Sequence, residues 1–305
     1  MKKDGVTVVI TTVERPFELR RAINSVLKQN YNPLEIIVVI DGGSLVSKKV
    51  VDEYEYLTDI TSISNFIAVG GSEARNIGIR ASKYDWIALL DDDDEWLDEK
   101  LKKQMSKVTG HFSNEVVSFT SLLTYISNPN HKYILPKEKY ITGESIGNFL
   151  FTLKNGKWNG WVQTSTILAS KTVFEALPFL SSLPKHQDWD WIMRVYKSNF
   201  SIVHVDEPLS IYHKVLNGKS IAQSPNWKFS QEWILGKKQE ISRKSYDNFL
   251  MAVVNNGISK DTSLTLIQKI KLINSNDKKI SLNNICSIAF IRFKLQYFYN
   301  VIKSN

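Results

Sequence analysis

The sequence predicts an α/β fold, a mostly parallel sheet flanked by helices and followed by a helical C-terminal extension. Three observations predict it. Apolar runs alternate with amphipathic stretches over the first hundred residues, as in sheets buried on both faces. Each run ends in polar residues, at 11–15, 41–44 and 91–95, so three loops converge where such folds bind ligands. Beyond residue 228 the chain reads as helical and basic.

The first strand is "VTVVITT" (6–12), a β-branched apolar run. Pro16 then opens a helix with Leu19, Ala22, Ile23, Val26 and Leu27 at helical spacing. "LEIIVVIDGGS" (34–44) is a second buried strand, broken by Gly42 and Gly43. "SEARNIGIRAS" (72–82) reads as a helix with Ser72 as candidate N-cap. "WIALL" (86–90) is a further strand, followed directly by Asp91, Asp92, Asp93, Asp94 and Glu95. After about residue 112, strand-like pieces ("EVVSFTSLLTYI", "TSTILAS") mix with expected loops at Asn128, Pro129, Asn155, Gly156 and Gly160. "HQDWDWIMRVYKS" (186–198) reads as a helix with Trp189, Ile192 and Met193 or Tyr196 on one side. "ICSIAFIRFKLQYFYNVIK" (285–303) reads as a final helix, apolar over much of its circumference. The expected organisation is 1–112 and 113–227 as two halves of one domain, then 228–305 as the basic extension.

The net charge of +8 is unevenly placed. Residues 228–305 hold thirteen Lys/Arg against five Asp/Glu, so the whole excess belongs to that segment. It reads either as a solvated lysine-rich face or as attraction to an anionic surface. An anionic membrane fits that attraction. Nucleic acid is not expected, because no recognition motif accompanies the charge. The single cysteine, Cys286, excludes an intramolecular disulfide and suits a reducing compartment. The start lacks the apolar core of a secretory leader, and no run approaches the roughly 20 apolar residues of a spanning helix. The expected location is cytoplasmic, peripheral on the inner face of a membrane.

Five crowded acids repel unless something opposes them, and a hard divalent cation would do so. A calcium-binding EF-hand loop starting at Asp91 is excluded, since it needs Gly and Glu where Trp96 and Lys102 stand. A metal-dependent phosphohydrolase could use Asp91 as nucleophile and Asp93 as acid. A nucleotide-sugar site could use D-x-D to hold a metal that bridges a diphosphate. The bland alternative is acids favouring the start of a helix in "EWLDEKLKKQM".

The ordered set "VTVVITTVERPFELRRAINSVLKQNYNPLEIIVVIDGGS", "GSEARNIGIRAS", "WIALLDDDDEWLDEKL", "VQTSTILAS" and "HQDWDWIMR" resembles the glycosyltransferase family 2 enzymes of the GT-A (nucleotide-diphospho-sugar transferase) fold. The likeness is close over the first hundred residues, looser over 160–235 with "PLSIYH" and "SPNWKFSQEW", and does not reach 236–305. It implies that Thr11 and the "TVERP" loop with Glu14 contact the donor nucleotide. Members often carry an aromatic where Val13 stands, and two acids where Asp41 is followed by glycine. Asp41 resembles the acid on the base, and Arg75 a basic residue near base and phosphates. Asp91, beside Asp92, resembles the ribose contact, and Asp93 the ligand of Mg²⁺ or Mn²⁺. Asp188 resembles the general base of inverting members. A transfer with inversion needs one such base for the acceptor hydroxyl and charge stabilisation at the leaving diphosphate. Asp190, two residues on, lies on a different helix face.

Trp158, Trp161, Trp189 and Trp191 suit either sugar C–H faces or a core, and Trp161, Trp189 and Asp190 are the acceptor-side candidates. His213 is a candidate for the metal or diphosphate, or a structural histidine; His186 and His204 have weaker claims. The expected function is a metal-dependent inverting transferase that moves a hexose from a UDP-sugar to a glycan, lipid-linked in bacterial surface polysaccharide assembly. The alternatives are the phosphohydrolase and an inactive glycan-binding or scaffold protein.

Overall fold

The structure, a computed structural model, describes residues 5–110, 115–126, 128–154, 156–214, 226–281, 284 and 288–303. Cys286 lies outside the described residues.

The β-branched run β1 (Val6–Thr12) pairs in parallel with β2 (Leu34–Asp41) on one side and β4 (Trp86–Asp91) on the other; β2 also pairs in parallel with β3 (Ile60–Asn65). Helices α1 (Pro16–Leu27), α2 (Leu45–Asp52) and α3 (Gly71–Ala81) make the three crossovers. This is why all four strands deliver their carboxyl ends to one edge. Leu19, Ala22, Ile23 and Val26 of α1 pack on Val8, Ile10 and Val38 across one sheet face, while Ala74 of α3 packs on Ile37 and Val39 across the other.

Past β4 the sheet becomes mixed. The remaining strands are β5 (Glu95–Trp96), β6 (Val116–Ile126), β7 (Asn128–Leu135), β8 (Leu153–Lys154), β9 (Lys157–Trp158), β10 (Ile167–Ser170) and β11 (Ser201–Lys214). The described sheet runs β3-β2-β1-β4-β10-β6-β11-β5, with β7 beside β6. β10 is antiparallel to β4 and β6, and β11 is parallel to β6. Asn128 and Pro129, expected in a loop, open β7 instead. β7 pairs with β6 alone, and an edge strand tolerates the missing N–H of a proline.

Helix α4 (Lys100–Thr109) begins five residues after Glu95, so the acidic run does not form its first turn. Helices α5 (Ile146–Leu150) and α6 (Lys171–Ala176) precede α7 (Gln187–Lys197). Its buried residues include Trp191, Ile192, Met193 and Val195. Trp191 was not placed on the inner face by the sequence, whereas Tyr196 was a candidate for it and is exposed. Trp191 stacks on Phe174 and Phe179 and donates from Nε1 to the Leu177 carbonyl at 2.6 Å. That sandwich fixes α7 against α6 and the loop that follows it.

The chain divides into two compact units. One holds everything up to Gly143 and resumes at Val162 through β11. The other joins Glu144–Trp161 to the C-terminal helices. The segment 144–161, expected inside the second half of the first domain, thus belongs with the extension. Phe151 explains this: its ring meets Trp233 and Phe249, and its carbonyl accepts from Asn248 Nδ2 at 2.8 Å. The C-terminal helices are α8 (Trp227–Gly236), α9 (Arg243–Phe249), α10 (Asn256–Lys260), α11 (Leu266–Asp277) and α12 (Ile288–Lys303); a π-helical stretch, Leu250–Asn255, joins α9 to α10.

Gly78 sets how closely α3 approaches β1. A Cβ there would sit 2.4 Å from Cγ1 of Val9 and 3.2 Å from Cγ2 of Val39. Gly78→Ala is therefore expected to destabilise by about 1–3 kcal/mol through overpacking, read as a lower denaturant midpoint. Adding Val9→Ala should recover part of the loss. A neutral Gly78→Ala would show that α3 shifts without penalty.

Candidate active site

The carboxyl edge of β1 to β4 carries the site. Thr11 is half-buried and lies in register between Val39 and Asp91. Glu14 is exposed on the loop that follows. Asp41 accepts from the N–H of Val69 at 2.7 Å and of Gly70 at 2.8 Å, which closes the loop from β3 into α3. Ser72, expected as N-cap, is buried in the first turn; Gly70 holds the cap position with a φ of 84°. The carboxylate of Asp41 acts across the sheet edge where a local cap was expected. Each of its oxygens keeps a second lone pair for a further donor.

The acidic run resolves into two pairs. Asp92 and Asp94 are fully buried, whereas the side chains of Asp91 and Asp93 are 22% and 35% exposed. Asp92 accepts from Thr12 Oγ1 at 2.6 Å and pairs with Arg15 at 2.7 Å. Asp94 accepts from Gln163 Nε2 at 2.7 Å and Ser165 Oγ at 2.6 Å. The inner pair is held by the scaffold, and the outer pair stays partly exposed. Arg15 also reaches Asp93 at 2.7 Å, and Arg21 binds the carbonyl of Asp93. Arg75 pairs with Asp91 at 2.6 Å and donates to Gln187 Oε1 at 2.8 Å.

Gln187 is the first residue of α7 and Asp188 the second, so Arg75 couples the acid run to the start of that helix. Asp188 is partly buried and accepts from the Trp189 N–H at 2.9 Å. Asp190 points elsewhere: it is buried and pairs with Arg194 at 2.7 Å, while Arg194 also holds the Pro178 carbonyl. Trp189 donates to the Val162 carbonyl at 3.1 Å and stacks on His186. Trp161 lies in the other unit, edge-on to Trp158. His213 meets Glu95 Oε1 at 2.7 Å and stacks on Tyr125. His204 accepts the Tyr140 N–H on Nδ1; when neutral it carries its proton on Nε2, facing Ser121, and cannot act as a base toward that hydroxyl.

Burial raises Asp92, Asp93, Asp94 and Asp188. Removal from water pushes Asp92 up to about 7 against the pull of Arg15 and Thr12. Burial also raises Asp93, with Asp91 adding to the shift, and raises Asp94 well above the carboxylate range. Asp188 is pushed up to about 6 by burial, opposed by the Trp189 N–H and by Arg75. Burial, then Arg21, holds His213 below its ordinary value, with Glu95 opposing. Among the described residues no three His, Cys, Asp or Glu side chains gather as a metal cage.

Sequence reasoning named Arg15 only as part of the donor-side loop and missed Gln163, Ser165 and Gln187. Arg15 and Gln187 had a signal, since each adjoins a residue already chosen. Gln163 and Ser165 had none, because they meet Asp94 across 69 and 71 residues. Phe66 was also missed. It is 88% exposed directly after β3, and a Cβ on Gly43 would lie 3.3 Å from it.

A buried carboxyl held near 7 favours its protonated form in the fold. Its stabilising contribution is complete below the unfolded value near 4 and declines as pH rises to about 7. Wild type should lose about 1.4 kcal/mol per pH unit relative to Asp92→Asn across that window. Unfolding midpoints measured from pH 4 to 8 on both proteins check this; parallel curves would refute it.

Residues 7–170, more than half of the chain, match the family described as glycosyl transferase family 2. The chain is 26% identical over 250 residues to the amylovoran biosynthesis glycosyltransferase AmsB of Erwinia amylovora, covering 80% of this chain and 81% of AmsB. It is 24% identical over 232 residues to the Escherichia coli UDP-Glc:alpha-D-GlcNAc-diphosphoundecaprenol beta-1,3-glucosyltransferase WfgD, covering 76% and 85%. The crystal structure of S. aureus TarS 1–349 in complex with UDP-GlcNAc covers 100% of this chain and 90% of its own, with a TM-score of 0.67 at 16% identity, a likeness of fold. Four parallel strands delivering an acid run to one edge, together with the family match, identify this chain as a glycosyltransferase belonging to glycosyl transferase family 2.

Proposed function

We propose that the chain is an inverting, metal-dependent hexosyltransferase. Its donor is a UDP-sugar and its acceptor a hydroxyl of a lipid-linked glycan in surface polysaccharide assembly. One observation carries the reading: Arg75 links the outward carboxylate Asp91 to Gln187, next to Asp188. This joins a donor-side acid pair and a separate carboxylate of raised pKa, the minimum set for the reaction. The names of AmsB and WfgD support the polysaccharide setting, and the ligand in the TarS complex supports the donor class.

Asp41 and Thr11 lie where they can orient the base, Asp91 the ribose, and Glu14 and Asp92 border the same strand ends. Asp93 offers a hard oxygen that suits Mg²⁺ or Mn²⁺, ions that bind through one or two carboxylates and complete their shell on substrate phosphates. When bound there, such an ion neutralises charge on the departing diphosphate. His213, engaged with Glu95, is at most a neighbour of that position. Asp188 takes the proton from the acceptor hydroxyl as it attacks, and Trp189 flanks it on the acceptor side. Asp190 is assigned to the pair with Arg194, and Trp161 is left without a role in the chemistry.

Asp93→Ala should abolish the rise in thermal midpoint that Mn²⁺ with uridine diphosphate gives the wild type, while leaving the metal-free protein folded. A retained shift, or wild-type turnover indifferent to EDTA, would sink the metal assignment.

Asp188→Asn should lower kcat about 10²–10⁴-fold with donor affinity nearly unchanged. Wild-type rates should rise as pH climbs through about 6 and the carboxylate ionises, and that limb should vanish in the variant. Asp190→Asn should lower the melting midpoint through loss of the Arg194 pair yet keep turnover. The reverse pattern would move the base by two residues; full activity in both variants would remove it from α7.

A further inference from the structure

Among the described residues, the outer face of α12 is exposed. The helix docks by its opposite side: Tyr297 is buried and donates its hydroxyl to the Met251 carbonyl. Ile291, Leu295, Phe298 and Tyr299 recur at helical spacing and are 56%, 67%, 58% and 60% exposed. Lys294 pairs with Asp277 and reaches Asn274 Oδ1 at 3.4 Å, so α11 is its neighbour. That helix also turns Leu266, Ile267 and Ile270 toward solvent.

The charge of this helix pair selects among occupants. Residues 266–303 contain seven Lys/Arg and one acid, Asp277, and that acid is engaged by Lys294. Lys271, Lys278, Lys279 and Arg292 are exposed. A second copy would bring two strongly basic faces together. A nucleic acid would meet the charge and leave the apolar stripe in water. An anionic lipid surface satisfies both. No described helix is long and apolar enough to cross a bilayer.

We propose that α11 and α12 dock in the plane of an anionic membrane surface, with the 291/295/298/299 stripe among the lipids and the basic side chains on headgroup phosphates. This goes beyond the transfer reaction and does not depend on which sugar is moved.

Flotation of the full chain with vesicles tests it. Vesicles of phosphatidylcholine with phosphatidylglycerol should carry the protein, and phosphatidylcholine alone should not. Leu295→Glu with Phe298→Glu should weaken binding at least about tenfold, since two large apolar groups are withdrawn. Lys278→Gln with Lys279→Gln should weaken it about fivefold per charge at low salt, a difference that fades at high salt. Melting midpoints and turnover on a water-soluble acceptor should be unchanged in the Leu295→Glu/Phe298→Glu variant, which separates failure here from failure of the transferase reading. Equal flotation of wild type and that variant, or equal binding to neutral vesicles, would overturn the proposal. So would a wild-type dimer that this variant converts to monomer without any change in lipid binding.

Discussion

The crowding of carboxylates at the end of β4 is the constraint to which the rest of this molecule answers. Four consecutive aspartates cannot share one environment, because each raises the cost of ionising its neighbours. β4 ends at Asp91, and a turn closed by the Asp94 N–H on the Asp91 carbonyl at 3.1 Å separates them into two pairs. The inner pair is met by Thr12 and Arg15 on one side and by Gln163 and Ser165 on the other. The outer pair is met by Arg15 and Arg75. These partners come from three separate parts of the chain, 12–15, 75 and 163–165, so the unit folds around the run.

Arg75 does the second part of this work. Its guanidinium is planar with donors on several edges, so it can hold Asp91 and Gln187 together. It lies over the Phe179 ring, which also stacks on Trp191 of α7. The helix carrying Asp188 is thus anchored through a core aromatic on one side and the acid run on the other. Glycine at 78 lets α3 lie close enough on β1 for Arg75 to reach both.

Much of the parallel half was legible in the sequence, because buried parallel strands read as unbroken apolar runs and their ends as polar breaks. The crevice followed from those ends. What stayed hidden depends on partners far along the chain. The expectation of a cap at Ser72 rested on a local rule, and the acceptor that takes the N–H groups leading into that turn is Asp41, 28 and 29 residues away. Spacing separated Asp188 from Asp190, but only the pairing with Arg194 marks Asp190 as the acid held in an ion pair within its own helix. Four tryptophans looked like one group because they are close in sequence, yet Trp161 and Trp189 fall in different units. The place of 144–161 was likewise unreadable, since Phe151 finds its aromatic partners about 80 and 100 residues later.

A homopolymeric stretch looks degenerate, as though one letter could stand for the next. Here it has a phase. β1 locks Thr11 opposite Asp91, and the turn that the Asp94 N–H closes on the Asp91 carbonyl then decides which letters stay partly exposed. Deleting a single aspartate would leave the composition almost intact and still present an acid at every remaining place in the run. It would also shorten the turn in which Asp92 meets Thr12 and Arg15 and Asp94 meets Gln163 and Ser165, so those contacts could not all be kept. Drift in this stretch can therefore change residue types more safely than it can change length.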